Sequence, residues 1–316
     1  MTTAVVFAYH DVGVRCLSVL LAHGVDVRLV VTLDDDPAEN IWFASVAELA
    51  ERHDLPLVKL ADPNTHEFAA RVRAVAPDFI FSFYYRSMLG QALLGLARVA
   101  ALNMHGSLLP RYRGRAPVNW AIIHGERETG ATLHHMEVKP DAGAVVDRLR
   151  VPILPDDTGL DVFRKVTFAA EICLDRSLPG LIDGTSHAEA QDLSQGSYFG
   201  GRKPEDGVID WSQPARRIHD LVRAVAPPYP GATTMAGARR LRILRTVPAP
   251  RLAHPFEAAT LFGRAGRCYA CARDGSTLRL VELEVDGVRT DPRVLAPELE
   301  AQPVELPSGV GERTAS

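Results

Sequence analysis

Short apolar runs alternate with stretches of helical spacing through the first hundred residues, and this alternation restricts the fold more than any other feature of the sequence. Residues 4–8, AVVFA, read as a buried strand, and residues 15–24, RCLSVLLAHG, carry apolar side chains at helical spacing before a terminating Gly24. VRLVVTL, SVAELAERH, PLVKL, FAARVRAVA and DFIFSFY then read as strand, helix, strand, helix and strand. Strands separated in this way by short helices build βαβ units. The first half is therefore expected to be α/β, with a parallel, doubly wound, Rossmann-like sheet.

The pattern changes once. Residues 162–182, VFRKVTFAAEICLDRSLPGLI, read as one amphipathic helix, and the polar, glycine-rich DGTSHAEAQDLSQGSYFGGRKPEDG that follows reads as a linker. Beyond it PARRIHDLVRAV reads as a helix, and RRLRILRTV, GRCYACA and STLRLVELEV read as short strands divided by Gly and Pro. They predict a small β-barrel or sandwich of OB type. The expected division is an α/β domain over 1–188, a linker over 189–206, a β domain over 207–302 and a frayed tail over 303–316.

Composition excludes several function classes. The formal net charge of −4 over 316 residues supplies no broad basic field, which argues against nucleic acid as the main partner. MTTAVVFAYHDVG lacks the basic start and cleavage site of a signal peptide, and no apolar run approaches the roughly 20 residues that cross a bilayer. A cytoplasmic protein without membrane insertion is expected; oligomeric state leaves no sequence signature. Cys16, Cys173, Cys268 and Cys271 are too few and too scattered for a disulfide framework. Cys268 and Cys271 form a C-x-x-C, but no second pair or nearby histidine completes a tetrahedral zinc site, so they are expected to be strand or turn residues and no metal is expected.

An α/β sheet invites a nucleotide-binding reading. AYHDVGVRC, however, offers only Gly13 where a dinucleotide turn needs three spaced glycines, and no triphosphate loop motif occurs. Ligands of open α/β sheets bind beyond the carboxyl ends of the strands. VAALNMHG reads as a strand ending at Gly106, so Asn103 and His105, two residues apart, project from one side at that end. A strand-end pair of this kind can simply bond a neighbouring loop. Downstream, TGATLHHMEVKPDAG predicts another strand followed by a loop with Asp141, where Gly143 permits a tight backbone path. A neutral donor, an imidazole and a carboxylate are together the parts that acyl transfer to an amine requires.

The pattern N-x-H-x-S-L-L-P-x-Y-R-G, followed by D-A-G, resembles the formyltransferases that use N10-formyltetrahydrofolate. The likeness is closest to the formyltransferase part of the bifunctional enzyme that modifies UDP-4-amino-4-deoxy-L-arabinose, in lipid A modification and polymyxin resistance. FAYHD (7–11), FSFYYR (81–86), SLLPRYRGRAPVNW (107–120), FGGRKPEDGVIDW (199–211) and VRAVAPPYPGA (222–232) carry it. The resemblance implies a catalytic trio of Asn103, His105 and Asp141. It also implies a folate pocket lined by the segment Ser87, Met88 and Leu89 and closed by the loop Glu137, Val138, Lys139, Pro140 and Asp141, with Arg115 contacting the folate or the substrate side. Arg111, Arg113 and Arg115 would surround a site for anionic ligands. The implied partners are small molecules, the formyl-folate co-substrate and a nucleotide-linked amino sugar, with no metal and no nucleic acid. The chain is too short to hold the relative's second, decarboxylating domain, and Gly201 stands where that relative has an arginine.

Three rival readings differ in testable ways. Methionyl-tRNA formyltransferases share the trio but carry a basic insertion where this chain has the acidic LDDDPAEN. Glycinamide ribonucleotide formyltransferases lack the second β domain. A non-catalytic module binding folate or a sugar nucleotide would have no use for all three reactive side chains.

Overall fold

A computed structural model describes residues 1–249 and 252–307. In chain order the elements are β1 (Thr3–Ala8), α1 (His10–Ala22), β2 (Asp26–Thr32), α2 (Val46–Arg52), β3 (Leu57–Lys59), α3 (His66–Val75), β4 (Phe79–Phe83), α4 (Gln91–Leu94) and β5 (Ala100–His105). Then come β6 (Arg113–Gly114), α5 (Pro117–Ile123), β7 (Glu128–His135), β8 (Val145–Pro152), α6 (Gly159–Asp183) and β9 (Tyr198–Phe199). The remainder comprises α7 (Ala215–Ala224), β10 (Ala232–Ala236), β11 (Arg239–Pro248), β12 (Thr260–Arg264), β13 (Arg267–Cys271), β14 (Thr277–Val285), β15 (Val288–Thr290), α8 (Pro292–Ala301) and β16 (Val304–Glu305). Two compact units result, and neither is continuous in sequence. One comprises Met1–Pro117, Glu128–Pro152 and Phe163–Gly200; the other comprises Val118–Arg127, Ile153–Val162 and the described residues from Gly201 on.

In the first unit the sheet runs β3-β2-β1-β4-β5-β7-β8. β1 to β5 pair in parallel, as the βαβ alternation predicts, but β7 and β8 join antiparallel. Strand direction follows the path of the connection, which apolar patterning leaves open. The run 4–8 is wholly buried because a central parallel strand is covered on both faces. Val5, Phe7, Leu29, Val31, Phe68, Val72, Ile80 and Leu93 share one core, each contributing about 1.5–3 kcal/mol by leaving water.

Local chemistry places the helices. Ser45 Oγ accepts the Glu48 N–H at 3.3 Å and Thr65 Oγ1 the Phe68 N–H at 3.2 Å, N-caps worth about 1 kcal/mol each. Helix α1 begins at His10 rather than at Arg15. Its Gly13 serves packing: a Cβ there would stand 3.0 Å from Val46 Cγ2 and 3.1 Å from Ala8 Cβ.

The segment read as a linker is held against the first unit up to Gly200. Glu189 and Val145 exchange backbone bonds of 2.8 and 2.7 Å, and β9 lies parallel to β6. Polar, glycine-rich composition marks the absence of an apolar core face, yet the backbone groups of such a segment still take partners.

In the second unit the antiparallel order β10-β11-β14-β13-β12-β16 forms a nearly closed, barrel-like sheet. β16 corrects the expectation of a frayed end from 303. Val304 and Glu305 pair with β12, and the buried Leu306 donates its N–H to Ala259 O at 2.8 Å. An apolar residue at each alternate position covers what would otherwise be an open sheet edge. Residues 308–316 of that tail lie outside the described residues. Cys268 and Cys271 both sit in β13, three positions apart and so on opposite faces. Cys268 Sγ is 2.8 Å from Pro292 O, and burial pushes its thiol up to about 11. Among the described residues no group of three or more His, Cys, Asp or Glu is placed to hold a metal, and no helix is long and apolar enough to cross a membrane.

Candidate active site

β5 lies between parallel β4 and antiparallel β7, and its pleat decides which side chains face the site. Leu102 and Met104 enter the core, while Asn103 and His105 share the other face. Register then pairs Asn103 with His134 and His105 with Thr132 across β5 and β7. Asn103 Nδ2 consequently lies 3.1 Å from His134 Nε2. Past the strand the chain turns sharply. A Cβ on Gly106 would overlap the Tyr84 hydroxyl, so any larger residue there would displace that ring. Ser107 Oγ donates to Arg111 O at 2.6 Å, and Thr132 Oγ1 donates to Ser107 O at 2.6 Å, so the turn's buried carbonyls have partners.

β6, only two residues long, holds the centre together because both of its edges are used. Arg113 and Arg115 donate their backbone N–H groups to Ser197 O and Phe199 O, each at 2.9 Å. On the opposite edge, Tyr112 O meets His105 Nε2 at 2.8 Å and Gly114 N–H donates to Asp141 Oδ2 at 2.8 Å. One strand thus grips both the histidine and the aspartate. Asp141 is delivered by the loop after β7 in a left-handed conformation, φ 51°. Gln191 Nε2 braces that loop by donating to Asp141 O at 3.1 Å and Gly143 O at 2.6 Å.

The hydrogen-bond partners fix the imidazole edges. A carbonyl only accepts, so His105 carries its proton on Nε2 toward Tyr112 and turns Nδ1 to Asp141 Oδ1 at 3.5 Å. By the same logic His134 carries its proton on Nδ1 toward its neighbour's carbonyl, 2.8 Å away. Its Nε2 accepts from Asn103 and lies 3.5 Å from Asp141 Oδ1. Burial works against the charge of Asp141. With protons also on His105 Nδ1 and His134 Nε2, the charge of the two imidazoles and the Gly114 N–H outweigh it and hold the carboxyl well below the usual carboxylate range. The assembly can present an amide donor, an imidazole edge and an ionised carboxylate to one reacting atom.

A second cluster stands where strand order reverses, at the carboxyl ends of β1 and β4, the switch point of an open sheet. His10 and Tyr84 there adopt φ 67° and 59°, a conformation few non-glycine residues take. The His10 ring stacks on Phe43 at 3.8 Å and meets Trp42 and Phe163 edge-on. The acidic 33–40 segment closes over this cluster: Tyr9 donates to Asp35 at 2.7 Å, and Arg86 forms two 2.7 Å bonds with Glu39. Burial, with the Arg86 charge adding to it, pushes the His10 imidazole down to about 3; Asp11 is the carboxylate facing it, at 3.7 Å. An unfolded histidine binds a proton below about pH 6.5, whereas folded His10 does not until near pH 3. Stability should therefore fall as pH drops through this window, by up to about 1.4 kcal/mol per pH unit. His10→Asn, which tolerates the backbone conformation and does not titrate, should show a flatter melting temperature between pH 7 and 4 than the wild type. Parallel profiles would refute the assignment.

The other residues expected at the site are placed as follows. Ser87 Oγ donates to Ala61 O at 2.5 Å, Met88 O accepts from Asn64 Nδ2 at 2.9 Å, and Leu89 is buried in the core. Met88 and Val138 leave apolar side chains in solvent, 53% and 63% exposed. Glu137 and Val138 line a groove of about 370 Å³ with Gln91 and Leu94, whose walls do not include Asn103, His105 or Asp141. Lys139 is exposed and Pro140 half-buried. Arg115 is exposed, with Nη2 donating to Arg86 O at 3.3 Å. Sequence reasoning missed His134, Gln191 and the backbone contributions of Tyr112 and Gly114. The doublet His134–His135 held one clue, since a strand turns only one of two adjacent residues toward a given face, but the register that selects His134 is not local information.

Residues 17–178 match the family model described as formyl transferase, and residues 202–290 match the formyl transferase C-terminal domain. Among solved structures, an N-formyltransferase from Helicobacter canadensis in complex with folinic acid and dTDP-3-aminofucose is similar with a TM-score of 0.71 at 19% identity, over 89% of this chain and 99% of that one. WlaRD, a sugar 3N-formyl transferase solved in the presence of dTDP and 5-N-formyl-THF, gives 0.69 at 18% identity, over 89% and 97%. HypX from Aquifex aeolicus in complex with tetrahydrofolic acid gives 0.60 at 20% identity, over 92% of this chain and 46% of that one. At these identities the likeness to solved structures is one of fold.

Proposed function

The chain belongs to the formyl transferase family, and from that premise we propose that it transfers a formyl group from N10-formyltetrahydrofolate to the amine of a nucleotide-linked amino sugar, UDP-4-amino-4-deoxy-L-arabinose being the favoured acceptor. The observation that carries the reading is the convergence of Asn103, His105 and Asp141, gripped by β6 and His134, in a chain of that family. The wider setting, lipid A modification, follows from the same motifs, as does the resemblance to the UDP-4-amino-4-deoxy-L-arabinose enzyme.

The residues present fit a folate. The exposed Met88 and Val138 would be covered by a flat ring, and the 87–89 and 137–141 backbones would supply edge contacts. When bound, the folate supplies an activated formyl carbon. Asn103 donates an N–H to the carbonyl oxygen of that formyl group as negative charge develops on it. Its contact with Asp141, at 3.5 Å, is long and weak, so one amide hydrogen is available to turn. His105 turns Nδ1 to Asp141, so a second proton taken up on this edge would be shared with the carboxylate. Asp141, held ionised, removes the proton that the attacking amine loses as its new C–N bond forms. As the adduct collapses, the bond from the formyl carbon to N10 would break, and N10 would take up the proton that Asp141 removed from the amine.

A methionyl-tRNA acceptor would require a basic surface in the loop after β2. That loop instead carries Asp34, Asp35, Asp36 and Glu39, and three of these are engaged by Lys59, Tyr9 and Arg86. A sugar nucleotide brings only a diphosphate, which a few donors can hold. Formylation of UDP-4-amino-4-deoxy-L-arabinose is expected, with no detectable formylation of methionyl-tRNA at matched enzyme concentration, measured as product mass and tetrahydrofolate release. Parallel assays of dTDP-linked 3-amino and 4-amino sugars identify the acceptor. Robust formyl-methionyl-tRNA with inert sugar nucleotides would overturn the assignment.

A further inference from the structure

Arg113 carries a charge that its surroundings do not neutralise. It is 9% exposed, its Nε is buried with no hydrogen-bond partner, and among the described residues its guanidinium has no carboxylate within 4 Å. The contrast with Arg223, the other buried arginine among the described residues, is direct. Arg223 pairs with Asp220 at 2.7 Å and donates to the carbonyls of Leu154 and Asp157. Desolvating a cation without a counter-charge costs several kcal/mol, and buried charges in folded proteins are accordingly paired. A guanidinium with a buried, unpartnered Nε and no carboxylate beside it therefore points to an anion that arrives from outside.

Its location says what that anion accompanies. The flanking backbone groups of Arg113 are the two that hold the site, Tyr112 O on His105 and Gly114 N–H on Asp141, and its own N–H is fixed to Ser197 O. The stem of the side chain thus has a fixed origin relative to the candidate reacting centre. Neighbouring cations already have company. Arg86 is doubly bonded to Glu39, Arg115 is solvated and reaches a carbonyl, and Arg111 lies over the Tyr112 ring at 5.7 Å. The expectation that Arg115 is the ligand-contacting arginine thus has a stronger competitor two residues away.

We propose that Arg113 receives an oxyanion of a bound substrate through its guanidinium, and that its charge is neutralised only in the complex. The identity of that substrate rests on the formyl-transfer reading; the presence of an anion site does not. Two sources share the chemistry, the diphosphate of a sugar nucleotide and the glutamate carboxylates of a folate. Both offer paired oxygens to which arginine binds bidentately.

The test measures binding without turnover, so it stands apart from any failure of the catalytic reading. Calorimetric titrations with UDP, inorganic pyrophosphate and folinic acid would be run on wild type, Arg113→Lys and Arg113→Met. Removing a bidentate charged contact should weaken one class of ligand by at least about tenfold in Arg113→Met, with Arg113→Lys recovering it only in part. Loss of UDP and pyrophosphate binding assigns the diphosphate; loss of folinic acid binding assigns the carboxylate. The free Arg113→Met protein should melt no lower than wild type, because it sheds an uncompensated charge. Binding of all three ligands within about twofold of wild type, or a free variant that melts several degrees lower, would overturn the proposal.

Discussion

Asn103→Ala is expected to lower kcat by roughly 10²–10³, equivalent to about 3–4 kcal/mol of transition-state stabilisation, while the circular dichroism spectrum remains that of the folded protein. The side chain is half-buried at the end of a well-packed strand, and its removal opens no core cavity. His105→Ala and Asp141→Ala should be at least as damaging. The Asn103→Ala/His105→Ala double variant should lose less than the sum of the two, since both side chains meet in one network at Asp141 Oδ1. Each variant should be assayed with the acceptor that the substrate panel identifies. Turnover within about threefold of wild type in either Asn103→Ala or His105→Ala would remove the mechanism as drawn.

Gly143→Ala should be nearly as severe without touching a reacting atom. A Cβ there would fall inside the contact distance of the His135 backbone carbonyl, with Glu137 Cγ at 3.4 Å. No rotamer relieves a clash with backbone, so the loop between β7 and β8 must move, and Asp141 rides on that loop. Gly143 O is also the closer of the two carbonyls that Gln191 braces, at 2.6 Å. Displacing a catalytic group by about 1 Å can cost on the order of 10² in rate. A kcat drop of that size is expected, with a melting temperature that falls by only a few degrees. Unaltered kcat would mean that the loop position is not critical.

Several elements were legible because their signal is local. AVVFA announces a central strand because a strand covered on both faces has no polar positions. Asn103 and His105 could be assigned to one strand face from a spacing of two. The antiparallel turn of β7, the strand at 304–305 and the pinning of 189–200 were not legible. Each depends on which distant edge lies open, and the residues concerned look the same whether that edge is present or not.

The alternation of elements, the α/β and β halves, the face of β5 that carries Asn103 and His105, and the motifs through which the chain resembles its family are all encoded within short stretches of chain. That His134, opposite Asn103 across β5 and β7, joins them follows from the folded register. The tertiary structure alone showed that a two-residue strand grips His105 with one carbonyl and Asp141 with one N–H, and that Arg113 rather than Arg115 is left buried without a counter-charge. The physical reason is the range of the interactions. Hydrophobic period and capping act within a few residues, so composition and spacing report them. Register, backbone clamping and the neutralisation of charge join groups 27, 31 or more positions apart, and become defined only when the chain has closed on itself.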